Sequence, residues 1–184
     1  MCIATSRANP TAAFTLLPGL LACREFVNAD EIARGLSPFQ PETVSIQAGR
    51  LMLGRLRELL AVGETFALET TLATRHYLRF VQEAQAAGYF VRLLFFWLNS
   101  PDLAVERVQA RVREGGHSIP ESVIRRRYEG GLQQFFKAYR SAVDSWSFVD
   151  NSAGTGLPVA VSNGSGVIVS NPSIWCSLTA KYDV

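Results

Sequence analysis

Phe90-Val91-Arg92-Leu93-Leu94-Phe95-Phe96-Trp97-Leu98 carries a single charge in nine residues. A short, near-continuous apolar run of this kind predicts a strand buried on both faces, as in the middle of a parallel sheet. Gly88 stands just before it as a helix-ending glycine. Just after it, Ser100 reads as an N-cap, Pro101 as the first helical residue and Asp102 as a first-turn acid.

The same alternation extends outward in both directions. Further strands are expected at Met1–Ala4, Glu25–Asn28, Thr65–Glu69 and Ser147–Asp150, and helices at Glu42–Ala61, Arg75–Ala87, Asp102–Glu114 and Glu121–Val143. In the first of these helices Ile46, Leu53, Leu56 and Leu60 form the expected apolar stripe. Strands alternating with helices predict a three-layer α/β fold, a mostly parallel central sheet with helices on both faces. Pro158–Asn163 and Gly166–Ser170 read as a C-terminal β-hairpin around Asn163-Gly164-Ser165-Gly166, with Ile174–Leu178 as a final turn.

The 184 residues suit one domain spanning 1–184, with a core of useful size. Eighteen basic against 16 acidic residues leave a net charge of +2, so bulk charge points to neither nucleic acid nor membrane as a partner. Cys2, Cys23 and Cys176 are scattered, and with His76 and His117 they make no metal-ligand spacing, so no metal site is expected in the protein itself. Free thiols suit a reducing, cytoplasmic setting. A rival reading takes Leu20-Leu21-Ala22-Cys23 as a lipoprotein cleavage site, but Pro18 and Gly19 break the apolar run before it.

Three segments carry candidate chemistry. Val27-Asn28-Ala29-Asp30 closes a strand and opens a helix, so Asp30 is either a helix cap or a carboxylate at the sheet's ligand-binding rim. Glu69-Thr70-Thr71 ends another apolar strand, offering either local hydroxyl-to-backbone bonds or ligand contacts. A buried-strand glutamate without a partner is costly. The third stretch holds Arg107, Arg111, Arg113, Gly115-Gly116-His117 and Arg125-Arg126-Arg127. It reads as a solvated basic face or as a lid, residues 100–143, bringing guanidinium groups onto a polyphosphate.

Together these segments resemble the zeta-toxin-like P-loop kinases, a family that includes a branch of predicted ATPases. The resemblance lies in CREFVNADEIARGLSPF from Cys23, ETFALETTL from Glu64, ERVQARVREGGHSIPESVIRRRYEGGL from Glu106 and Val149–Ser152. It implies a kinase with ATP and Mg2+ as cofactors, phosphorylating a hydroxyl of a sugar nucleotide such as UDP-N-acetylglucosamine or a similar small metabolite. Asp30 would be the catalytic base, and Glu69 and Thr71 would bind the substrate. Ala73 stands where the family has an arginine, and Arg75 is the substitute two positions on. Arg111 and Arg126 would grip the ATP phosphates, with Arg113 and Arg127 as neighbouring alternatives. An antitoxin-like protein is the implied partner.

Residues 1–22 depart from the family's GxxGxGKTT loop. Ala8 and Pro10 replace glycines, Thr11 stands for the lysine and Ala12 for the magnesium-binding hydroxyl. Cβ atoms hinder the inward turn of backbone N–H groups, proline removes a donor, and the nearest fixed cation is lost. Weakened ATP binding is therefore expected, with a catalytically silent binding module as the alternative function.

Overall fold

The computed structural model describes residues 1–5, 23–114 and 118–183. Residues 6–22, with Thr11 and the expected phosphate-binding motif, and Gly115–His117 lie outside them. The described strands form one sheet in the order β2-β3-β1-β4-β5-β6-β7. They are β1 (Cys2–Thr5), β2 (Glu25–Val27), β3 (Phe66–Glu69), β4 (Arg92–Trp97), β5 (Ser145–Asp150), β6 (Leu157–Ser162) and β7 (Val167–Val169). The first five are mutually parallel, and the last two add antiparallel as the expected hairpin. The mostly parallel α/β architecture read from the sequence is thus the fold of the protein.

Strand β1 lies between β3 and β4, the point where the chain's winding reverses. In open α/β sheets, ligands collect outside the carboxyl ends of the strands at such a point.

The core lies mainly on one face of the sheet. Leu93, Phe95 and Trp97 of β4 point into it, whereas Leu94 and Phe96 are only half-buried. The strand is therefore sided, where its sequence promised burial on both faces. Leu94 packs instead on a smaller cluster of Cys2, Cys23 and Ala67.

The main core receives α2 (Ser45–Ala61), α3 (Leu78–Ala86), α5 (Glu121–Gln134) and α6 (Pro172–Tyr182); α1 (Ala29–Leu36) packs on its border. The stripe of α2 is Ala48, Met52, Leu56 and Leu59; Ile46, expected on it, is 74% exposed. The cause is spacing, because Ile46 lies two residues before Ala48 and so on the far side of a 3.6-residue helix. Helix α3 begins three residues later than expected and ends where Gly88 adopts φ 87°. There Tyr89 N–H donates to Ala84 and Gly88 N–H to Gln85, the two bonds of a Schellman cap.

The long basic helix is interrupted. After α5 the chain widens into a π-helical turn, Phe135–Tyr139, before a last turn at Arg140–Ala142. Phe135, Phe136 and Tyr139 are all buried there. Phe135 packs 4.9 Å from Phe95 and 5.1 Å from Phe148 between ring centroids. The tail is also longer than expected: α6 runs three turns from its cap Asn171 and stacks Trp175 on Trp146. Among the described residues no helix is long and apolar enough to cross a membrane.

Candidate active site

Two parallel neighbours create the site. Val27 of β2 pairs with Leu68 of β3, so the residues after them, Asn28 and Glu69, emerge side by side at the sheet rim. Asn28 is the N-cap of α1: its Oδ1 accepts from the Asp30 N–H at 2.8 Å. Capping therefore falls to Asn28, and Asp30, at the second helical position, keeps its carboxylate for the cleft. The first turn of a helix favours that negative charge.

Asn28, Ala29, Asp30, Met52, Glu69, Thr70, Thr71, Tyr77 and Arg127 line one cleft of about 140 Å³. Asp30, Glu69 and Thr71, distant in the chain, are brought together as their strand ends required. Asn28 joins them, its Nδ2 donating to Glu69 Oε2 at 2.8 Å. Met52 and Tyr77 supply an apolar side, with Tyr77 Oη 3.7 Å from Met52 Sδ. Burial pushes the Tyr77 phenol above its ordinary value, so it is neutral at physiological pH.

The segment after β3 is held tightly. Leu72 is 1% exposed and sits at φ 50°, the left-handed region that side chains avoid. The Thr70 hydroxyl accepts its N–H at 3.3 Å. Helix α5 then lies directly on this turn, because a Cβ on Gly131 would stand 2.8 Å from the Thr71 carbonyl. That docking carries Arg127 into the cleft. Burial pulls the Arg127 guanidinium below its usual value, and the nearby Asp30 carboxylate opposes the shift.

The arginines separate into distinct places. Arg126, expected to face phosphate, is exposed and makes no ion pair among the described residues; its neighbour Arg127 is the one in the cleft. On a helix, adjacent residues point about 100° apart, so only one of them can face inward. Arg75, the expected substitute beside Thr71, is exposed and donates from Nε to Gln134 Oε1 at 3.2 Å, outside the cleft lining. Ala73, at the family's arginine position, packs beneath Gly130.

Arg111 lies outside the cleft lining. It lies on α4 (Pro101–Arg113) one turn beyond Arg107. Arg107 donates to the carbonyls of Asn151 at 2.6 Å and Ser152 at 2.9 Å. Asp150 Oδ1 accepts from the Ser152 N–H and hydroxyl, and Ser152 Oγ accepts from Asn99 N–H at 2.9 Å. Among the described residues, Arg111 Nε and Nη2 are buried without a hydrogen-bond partner, as is Asn151 Nδ2. Buried, unanswered donors suit an anion. Arg111 thus lies on the first helix of the segment expected as a lid. Among the described residues no group of three His, Cys, Asp or Glu side chains could hold a metal.

The sequence profile of the family described as zeta toxin matches residues 24–155. The chain belongs to the zeta toxin family. This zeta toxin homologue is 29% identical to an uncharacterised protein of Haemophilus influenzae over 102 residues, 55% of this chain and 73% of that one. It resembles a chain of the PezAT chromosomal toxin–antitoxin system of Streptococcus pneumoniae at TM-score 0.68 and 14% identity, over 93% of this chain and 75% of that one. The AvrRxo1-ORF1:-ORF2 structure with ATP gives TM-score 0.69 at 15% identity. That match covers 97% of this chain but 63% of the other, so the zeta toxin homologue spans less than two thirds of that relative's length. Such identities carry the fold alone.

Asn28, Tyr77 and Met52 were not singled out from the sequence. For Asn28 a signal existed, since asparagine just before a helical apolar pattern is a preferred cap. Nothing local marks Met52 or Tyr77, whose place depends on how α2 and the segment before α3 pack.

Proposed function

We propose that this zeta toxin homologue is an ATP-dependent kinase acting on a hydroxyl of a sugar nucleotide, such as UDP-N-acetylglucosamine, or of a similar small metabolite. The observation that carries this reading is the convergence of Asp30, Glu69, Thr71 and Arg127 on one cleft at the carboxyl ends of parallel strands. Asp30 takes the proton of the acceptor hydroxyl; that oxygen bonds to the γ-phosphorus as the bridging oxygen leaves with ADP. Glu69 and Thr71 hold the acceptor, and Arg127 faces the phosphoryl group in transit. The unpartnered donors of Arg111 fit a phosphate oxygen of the nucleotide. Magnesium, when bound with ATP, supplies further neutralisation of phosphate charge. The ATP in the AvrRxo1 structure and the paired proteins of that system and of PezAT speak for nucleotide binding and for an antitoxin-like partner.

ATP binding is weakened by the loop at residues 6–22. A charge-assisted contact to phosphate is worth roughly 1.5–3 kcal/mol, so loss of the lysine alone costs roughly ten- to a hundredfold in affinity. Calorimetry with Mg-ATP on the natural chain and on a variant with Ala8→Gly, Pro10→Gly, Thr11→Lys and Ala12→Thr measures this. The variant gains at least tenfold, and phosphoryl transfer to UDP-N-acetylglucosamine is lost on adding Asp30→Asn. Micromolar binding by the natural chain with no gain in the variant would refute the weakened loop. The altered loop also favours a second reading, a silent binding module that keeps the acceptor cleft and the antitoxin-like partner. Acceptor binding without any transfer, even in the restored variant, would select it.

A further inference from the structure

We infer that Asn28 is a positioning residue that ties the Glu69 carboxylate to the start of α1, the backbone that carries Asp30. The inference rests on the kinase reading for its purpose, but its evidence is geometric. One carboxamide joins the Glu69 carboxylate to the backbone of Asp30. Its Oδ1 accepts from the backbone N–H of Asp30 at 2.8 Å, and its Nδ2 donates to Glu69 Oε2 at 2.8 Å. Its own carbonyl accepts from Ile32 N–H at 3.1 Å, the first bond of α1.

The orientation of this amide has a single solution. Rotating it by 180° would set Nδ2 against the Asp30 N–H and Oδ1 against the Glu69 carboxylate, replacing two hydrogen bonds with two repulsive contacts. The register of β2 on β3 fixes the span across which it reaches, since Val27 sits opposite Leu68. The start of α1, which sets where Asp30 points, is thereby tied to the rotamer of Glu69. Serine or aspartate can still cap the helix, yet neither can donate to Glu69 as the amide does. Asparagine is the cap residue that offers both an acceptor and donors at this reach. Asp30, Glu69 and the helix start then form a preorganised frame for the acceptor, and the bond between them requires no ligand.

The test uses the full chain and reads the linkage without turnover. In nuclear magnetic resonance spectra the Asn28 side-chain amide protons shift as a carboxylate titrates on acidification. That dependence disappears in Glu69→Gln and persists in Asp30→Asn. In crystals of Asn28→Ser, α1 begins at the same residue while the Glu69 carboxylate leaves its place in the cleft; Asn28→Asp gives the same displacement. An Asn28 signal indifferent to Glu69→Gln, or a Glu69 side chain unmoved in both Asn28 variants, overturns the inference. Absence of kinase activity with these readouts intact would fault only the reading of function. Where transfer to UDP-N-acetylglucosamine is measurable, Asn28→Ser lowers kcat by at least tenfold with Mg-ATP affinity unchanged. A purely structural cap, conserved by serine, would leave kcat where it was.

Discussion

Arg126 and Arg127 are adjacent, carry the same charge and occupy different worlds. Arg127 lines the cleft beside Asp30, partly out of water, while Arg126 is exposed. An exposed guanidinium is screened by solvent and holds little energy in any one contact, whereas a partly desolvated one acts at full strength on a nearby phosphate. Under the proposed reaction, Arg127→Gln lowers kcat/KM roughly ten- to a hundredfold, the worth of one charge-assisted contact. Arg126→Gln changes it less than about twofold. Steady-state kinetics on both variants decides which arginine faces the phosphoryl group; equal losses would return Arg126 to the site. The Asp30 carboxylate illustrates the same point, because it is the neighbouring Asn28 that caps α1. Residue type alone left both placements open; direction on the helix put Arg127 and Asp30 on the cleft.

At the scale of elements, the decisive contact is between α5 and the turn after β3. Gly131 lets the helix backbone approach until only hydrogen fits beside the Thr71 carbonyl, with a built Cβ at 2.8 Å. Backbone cannot yield there as a flexible side chain could. Gly131→Ala therefore pushes α5 off the turn, at a cost of about 1–3 kcal/mol from overpacking. For a chain of this size that is roughly 2–4 °C in Tm per kcal/mol. In an exposed helix the same change would stabilise by about 1 kcal/mol, so calorimetry gives opposite signs for the two cases. The displacement also shifts Arg127 and Thr71 together. A Gly131→Ala protein with raised Tm would show the docking to be looser than its geometry. The π turn that follows works similarly at the next level, bringing Phe135 and Phe136 onto the aromatic face of β4 and β5 while the Tyr139 hydroxyl donates to the Thr74 carbonyl at 2.8 Å.

The whole molecule keeps several titratable groups protonated. Burial, then the neighbouring Cys23, pushes the Cys2 thiol up to about 12 from 9.0. Burial also raises the phenols of Tyr128 and Tyr139 to about 12 from 10.0. Each group holds its proton in the fold at pH values where the unfolded chain has released it. Stability from these groups is thus complete below pH 9 and falls as pH rises from about 9 to 12, by about 1.4 kcal/mol per pH unit for each fully engaged group. Scanning calorimetry between pH 8 and 11 should show Tm level at first and then declining; a rise across pH 9–10.5 would contradict the burial. Thiol reagents at pH 8 should label exposed Cys176 quickly and buried Cys2 and Cys23 slowly.

What could be determined from the chain alone followed from local signals. The apolar run at Phe90–Leu98, the cap at Ser100-Pro101-Asp102 and the stop at Gly88 act over a few residues, and so did the parallel sheet and the hairpin they announced. Two strand ends with acids after them also placed Asp30 and Glu69 on one rim, because parallel neighbours share a direction. The rest required atoms distant in sequence to meet. That Ile46 faces water, that β4 is buried chiefly on one side, that the helix after Glu121 widens into a π turn and that Arg127 enters the cleft all depend on packing between elements. So does the amide of Asn28 between the Glu69 carboxylate and the backbone N–H of Asp30. Periodicity says which residues share a face; only the docked neighbours decide which way that face turns.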